Sequence, residues 1–216
     1  MPLSLLLLKL GEGMLVSIEI FCLTLIFSLP LGLLVAFGRM ARNFILSNLV
    51  KFYISVMRGT PLMLQLMVVY FGPYYIFGIR ISNSYRFVAT IIGFSLNYAA
   101  YFAEIYRGGI ESIPVGQWEA AQLLGYNKTQ TFLRIIFPQV IKRILPAVTN
   151  EVITLIKDTS LAFVIAVMEM FTTAKAIASA QQSVVPYMAA GVFYYVFNYV
   201  VAFCSDLLEK KLSYYQ

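Results

Sequence analysis

The sequence predicts an all-α integral membrane protein of five transmembrane helices, N-terminus outside and C-terminus inside. Of its 216 residues, 60% are apolar and only 12% charged, with a mean hydropathy of +0.79. A globular domain carries about twice that charge, so most of this surface must face lipid. Five apolar segments reach the roughly 20 residues that cross a bilayer core: 14–37, 60–79, 87–106, 148–168 and 187–207. Eleven basic residues share one face (Arg39, Arg42, Lys51, Arg58, Arg107, Lys128, Arg134, Lys142, Arg143, Lys210 and Lys211). Four share the other (Lys9, Arg80, Arg86 and Lys175), and Lys157 falls inside a span. The richer face belongs in the cytoplasm, and the whole chain, 1–216, reads as one multi-pass domain.

Met1 to Leu10 contains the run Leu5 to Leu8 in the manner of a weak signal peptide. Lys9 follows that run instead of preceding it and no small-x-small cleavage site appears, so the segment is expected to be retained. Glu19, near the outer end of span one, reads as structural. Residues 44–57 are apolar, but Ser47, Asn48, Lys51 and Ser55 share one helical face, as in a helix lying along the membrane surface. Thr60 and Pro61 suit an N-cap and a first helical position, and Pro73 after Gly72 marks a kink in span two. Tyrosines such as Tyr74, Tyr75, Tyr194 and Tyr195 suit interfacial belts. The long cytoplasmic connection, 107–147, holds a short helix, Val115 to Leu124, opened by Pro114 and closed by Gly125.

Several kinds of chemistry are excluded. There is no histidine, and the two cysteines, Cys22 and Cys204, lie in separate apolar stretches, so metal and thiol–histidine sites lack ligands. No Gly-Lys dipeptide occurs, which removes the phosphate loop of nucleotide hydrolases. The net charge of +6 is spread along the edges of apolar runs, so no nucleic acid partner is expected. The chain is expected to bind no cofactor and to catalyse nothing.

Charges inside a span cost about 2.5 to 3.5 kcal/mol each on insertion scales and mark functional sites. Glu104 shares a helical face with Tyr101 and Asn97, a stripe suited to an amino or guanidinium group through charge and cation–π contact. Pairing of Glu104 with Lys157 or Arg107 is the alternative. Asp158, Thr159 and Ser160 are N-cap formers in mid-segment. Either a second half-helix begins there and offers its N-terminus to a carboxylate, or the helix runs on and both hydroxyls bond carbonyls one turn back.

The most specific pattern lies in the connection: Glu119-Ala120-Ala121, three residues, Gly125, nine residues, Ile135, one residue, Phe137-Pro138. It resembles the EAA loop of membrane-spanning subunits of type I ATP-binding-cassette importers, with Phe137 where the family usually has leucine. Arg58-Gly59-Thr60-Pro61, Ala103 to Ile110, Gln117 to Ala121 and Lys157 to Leu161 resemble the polar-amino-acid branch of that family. The resemblance implies an ATPase dimer as partner, holding the ATP and magnesium, with the EAA helix seated in its groove. It also implies a second permease subunit, an extracytoplasmic amino-acid-binding protein and a place in the bacterial plasma membrane. Within the loop helix, Trp118 reads as an anchor, Ala120 and Ala121 as a close-approach surface beside Glu119, and Gly125 as the reversal.

The expected function is a permease subunit that forms the path of a polar L-amino acid. A basic one is favoured, because Glu104 and Asp158 outnumber Lys157. Its expected site is Asn97, Tyr101, Glu104, Asp158, Thr159 and Ser160. A membrane receptor or assembly subunit that docks a cytoplasmic protein without passing solute is the alternative, and a lone channel is a third. The intramembrane polar residues favour transport, since a docking scaffold gains nothing from them.

Overall fold

The computed structural model describes residues 2–212, and among them every element is helical. Helix α1 (Leu3–Arg39) runs unbroken through Pro30 for 37 residues, about 55 Å at 1.5 Å per residue. It begins well before Met14, where the apolar count started the first span. Leu6 and Leu10 are buried against Met170, Ala174 and Ala190, so the opening segment is part of the bundle.

Helix α2 (Phe44–Gly59) starts at Asn43, whose Oδ1 accepts from the Ile45 and Leu46 N–H groups at 2.9 and 3.2 Å. Its axis makes 111° with that of α3 (Leu62–Phe77). The corner differs from the expected cap. Thr60 ends α2, its hydroxyl donating back to the Val56 carbonyl at 2.8 Å, and Pro61 takes the cap position of α3. Proline forces the residue before it out of the helical region, and Thr60 is accordingly extended, with ψ 148°.

Helix α4 (Tyr85–Glu111) is the most buried long helix. It lies along α1 because small residues meet there: a Cβ on Gly32 would stand 2.8 Å from the Phe102 Cβ and 3.1 Å from the Ala99 carbonyl oxygen. The connection then folds as α5 (Val115–Leu123), a single turn α6 (Lys128–Thr131) and a π-helical turn, Phe132–Ile136. Helix α7 (Phe137–Asp158) continues as a 3₁₀ segment, Thr159–Ile165. The fourth segment is thus helical from 137, not only from 148, and it breaks at Ala166, which sits at φ 58°. Past the break comes α8 (Met170–Gln181), a helix the apolar count does not anticipate, and then α9 (Val185–Leu212).

Among the described residues, α1, α4 and α9 are each long and apolar enough to cross a membrane. The bent pairs α2–α3 and Lys128–Ile165 with α8 bring the number to five if each pair is one span. Ile20, Leu66, Phe94, Tyr98, Phe102, Leu155 and Ile156 form the main core where α1, α3, α4 and α7 meet, and this core supports the polar pocket.

Candidate functional site

A cavity of about 390 Å³ opens between the α2–α3 corner, α4 and α7. Its walls carry Thr60, Asn97, Tyr98, Tyr101, Glu151, Thr154 and Asp158. Helical spacing explains the assembly. Asn97, Tyr98 and Tyr101 sit within one turn of α4, while Glu151, Thr154 and Asp158 recur at i, i+3 and i+7 along α7, which is one face. The Tyr98 hydroxyl donates to the Asp158 carboxylate at 2.7 Å across the two helices. Tyr98 is itself 2% exposed, so this bond fixes the carboxylate from a rigid support.

Asn97, Tyr101 and Asp158 are thus brought together as expected, but their work is divided. Asn97 donates both amide hydrogens within the fold, to the Met57 carbonyl at 3.0 Å and the Gln65 Oε1 at 2.9 Å. It ties α4 to the α2–α3 corner and contributes a wall. Arg58 lies 5.3 Å from the centre of the Tyr101 ring, a cation–π distance, and brings a positive charge to the rim.

Glu104 does not line the cavity. It takes two hydrogen bonds from Arg107, the shorter at 2.6 Å, and stands 4.0 Å from Arg58. The pairing alternative therefore describes it, because a carboxylate one turn before an arginine on one helix face is within reach of it.

Thr159 and Ser160 also lie outside the cavity lining. Their hydroxyls donate to the Ile156 and Lys157 carbonyls at 2.8 and 2.7 Å. The helix runs on through Asp158, so no free half-helix N-terminus exists there. The real break lies at Ala166–Glu169, and its N-terminus is already occupied. Glu169, fully buried, accepts from the Phe171 and Thr172 N–H groups at 2.7 Å each, from the Thr172 hydroxyl at 2.8 Å and from the Tyr194 hydroxyl at 3.2 Å. An internal carboxylate fills the place that a solute's would take.

Sequence reasoning missed Tyr98, Glu151, Thr154 and Glu169. The repeat Glu151–Thr154–Asp158 was the available signal for two of them. Nothing local marks Tyr98 or Glu169, whose partners lie on other helices.

In the connection, α5 ends as expected. Gly125 has φ 82°, a left-handed position that favours glycine, and the Gly125 and Tyr126 N–H groups return to the Gln122 and Ala121 carbonyls. The alanine pair is split: Ala120 is exposed, whereas Ala121 is buried. Trp118 stacks on Phe132 at 6.5 Å, so it anchors α5 to the π-helical turn of its own chain. The outward groups include Glu119, Ala120, Leu123 and Leu124, the two leucines 90% and 76% exposed.

Residues 28–214 match the family of binding-protein-dependent transport system inner membrane components. The chain belongs to that family. This permease is 36% identical over 202 residues to a putative glutamine transport system permease of Rickettsia bellii, covering 93% of this chain and 91% of the relative. It is 38% identical over 205 residues to an arginine transport system permease of Bacillus subtilis (94% and 91%). With an octopine transport system permease of Rhizobium radiobacter it shares 39% over 197 residues (87% and 80%). Among solved structures, an amino acid ABC transporter crystallised with histidines superposes with a TM-score of 0.86 at 31% identity, over 94% of both chains. A methionine ABC transporter in inward-facing conformations shares the fold, with a TM-score of 0.74 at 17% identity over 98% and 99% of the two chains.

The permease is therefore the membrane subunit of an amino acid ABC importer, integral to the inner membrane. It is not itself an enzyme, since hydrolysis of ATP belongs to a separate ATPase subunit of the complex.

Proposed function

We propose that the cavity between α4 and α7 holds the solute in transit, and that the solute is a polar L-amino acid with a cationic side chain preferred. The carrying observation is that Glu151 and Asp158 stand on one wall, with no lysine or arginine among the described residues lining the cavity. Two carboxylates in a water-poor site attract an ammonium or guanidinium group far more strongly than they would in bulk water. Arg58, held over Tyr101 at the rim, is the group for the solute carboxylate. The same site with its carboxylates neutralised would suit a neutral amide, so the names of the relatives, glutamine and arginine among them, are compatible with one architecture.

In this reading the chain crosses the bacterial plasma membrane five times, N-terminus outside, as one domain. It works with a second permease subunit, identical or homologous, and receives its solute from an extracytoplasmic binding protein. The ATPase seats against Glu119, Ala120, Leu123 and Leu124 of α5, and Trp118 carries the motion into the π-helical turn. Support comes from the exposed leucines on an otherwise anchored helix and from the excess of basic residues on that face.

Transport in proteoliposomes holding the whole complex tests the site. Asp158→Asn and Glu151→Gln are expected to cut uptake of arginine at least tenfold more than uptake of glutamine, provided the binding protein delivers both. Equal losses for the two solutes would remove the cationic preference, and unchanged uptake of both would remove the site.

A further inference from the structure

A second cavity lies apart from the polar pocket, between α1, α4 and α7. It is a groove of about 360 Å³ lined by Leu29, Leu33, Tyr106, Phe132, Phe137 and Ile141, among others. Its walls are apolar except for the Tyr106 hydroxyl, and that donates to the Leu29 carbonyl at 3.4 Å. The π-helical turn shapes one end. There the Phe137 N–H reaches the Phe132 carbonyl five residues back, which brings both rings to one face, 5.9 Å apart. A regular α-helix would turn them apart.

Leu34 and Leu133, next in sequence to the lining residues Leu33 and Phe132, are 67% and 56% exposed. That surface belongs in lipid. At the end of the groove where α1 stops and α7 starts, the charge is one-sided, with Arg39 closing α1 and Arg42 just after it, Lys128 and Arg134 around the π-helical turn, and Lys142 and Arg143 on α7. No acidic residue occurs between Glu19 and Glu104 or between Glu119 and Glu151. On the end of α4, Glu104 and Glu111 are both held by Arg107.

We propose that this groove seats an acyl chain of an anionic phospholipid whose headgroup lies against Arg42 and Arg134. The inference rests on the reading of the basic face as the cytoplasmic membrane surface. A dry groove that opens at the depth of lipid tails is filled by a tail, since its walls offer water nothing. The sign of the surrounding charge selects the headgroup, because basic residues at the surface attract anionic lipids. The seat also has a consequence for coupling. Phe132 forms part of the groove and carries Trp118 on its other contact, so the lipid supports the turn on which the ATPase-facing helix is anchored.

The test uses nanodiscs containing the assembled transporter and a phosphatidylglycerol with a diazirine near the end of one acyl chain. Its phosphatidylcholine counterpart is the control, and adducts are mapped by mass spectrometry. Adducts are expected on 29–33 and 137–148, in excess over the phosphatidylcholine probe. The exposed face of α9, with Val192, Val196 and Tyr199, reports ordinary lipid contact and should label equally with both probes. Leu33→Phe with Ile141→Phe should remove the groove adducts and leave those on α9. Arg42→Gln with Arg134→Gln should lower the excess by roughly fivefold per residue while the groove still labels. Labelling no stronger in the groove than on α9, or equal labelling by both probes, overturns the proposal. So does protection of the groove from both, which would mean that a second subunit covers it. Labelling is read without transport, so its failure is separate from any failure of the solute site.

Discussion

Two carboxylates end neighbouring stretches of the same bent segment, and their surroundings are opposite. Glu169 caps α8 and receives four hydrogen bonds from Phe171, Thr172 and Tyr194, with the Ser17 hydroxyl at 3.5 Å. Asp158 closes α7 and receives one side-chain hydrogen bond, from Tyr98, at the wall of a cavity. A carboxylate surrounded by donors from its own chain has no capacity left for a ligand, and it holds α8 against α1 and α9. One held by a single rigid donor keeps lone pairs aimed into open space. Donor count, more than burial or depth in the membrane, separates the structural acid from the one proposed to meet the solute.

Removing the saturated carboxylate should do the most damage. Glu169→Ala leaves the Phe171 and Thr172 N–H groups and two hydroxyls without their acceptor, at about 1 to 3 kcal/mol for each buried group left unmade. Loss of folded complex in detergent, or a fall in its Tm beyond that of any pocket variant, is the expected result. Glu169→Gln keeps an acceptor oxygen and should recover part of the stability. A Glu169→Ala complex of wild-type Tm would erase the distinction.

Asp158→Asn should invert the pattern. It keeps an acceptor for the Tyr98 hydroxyl, so stability should change by about 1 kcal/mol or less even as uptake of a cationic solute falls. A thermal melt of the purified complex beside the uptake assay sharpens the comparison. If the melt drops as far as for Glu169→Ala, Asp158 is structural as well.

Ala121→Trp probes the link from site to ATPase. With Ala121 1% exposed, an indole there must displace α5 from its seat, a strain of about 1 to 3 kcal/mol. ATP hydrolysis should persist while its stimulation by solute is lost. Normal stimulation would show that α5 does not carry the coupling.

The smallest effect is expected at Glu104. Its side chain is 20% exposed and paired within its own helix to Arg107, and such pairs contribute roughly 0.2 to 1 kcal/mol. Glu104→Gln should leave uptake ratios for arginine and glutamine unchanged within about twofold. A selective loss of arginine uptake would return Glu104 to the solute path.

What could be read in the chain alone was whatever depends on composition and short spacing. Low charge and long apolar runs dictate lipid-facing helices. Pro114 and Gly125 bound α5 to within a residue, because a proline start and a left-handed glycine stop are local backbone properties. The stripe of Asn97 and Tyr101 on α4 follows from helical periodicity; the same periodicity holds for Glu151–Thr154–Asp158 on α7, a repeat the sequence reading passed over.

What required the tertiary structure was every choice among partners. Glu104 had Lys157 and Arg107 as candidates; helical spacing made Arg107 reachable, and the packing of the α2–α3 corner put Arg58, not Lys157, on its other side at 4.0 Å. Asp158–Ser160 held all the residues of a helix start, yet the chain stays helical there. Glu169, with acceptors for the new N-terminus and donors on α8 and α9, caps the later break instead. Ala120 and Ala121 are the same residue type side by side, and only the position of α5 over the π-helical turn sends one to the surface and the other inward. A side chain's local pattern limits what it can bond, but a hydrogen bond forms only within about 3.5 Å. Which donors come that close to a carboxylate is set by how helices far apart in sequence pack.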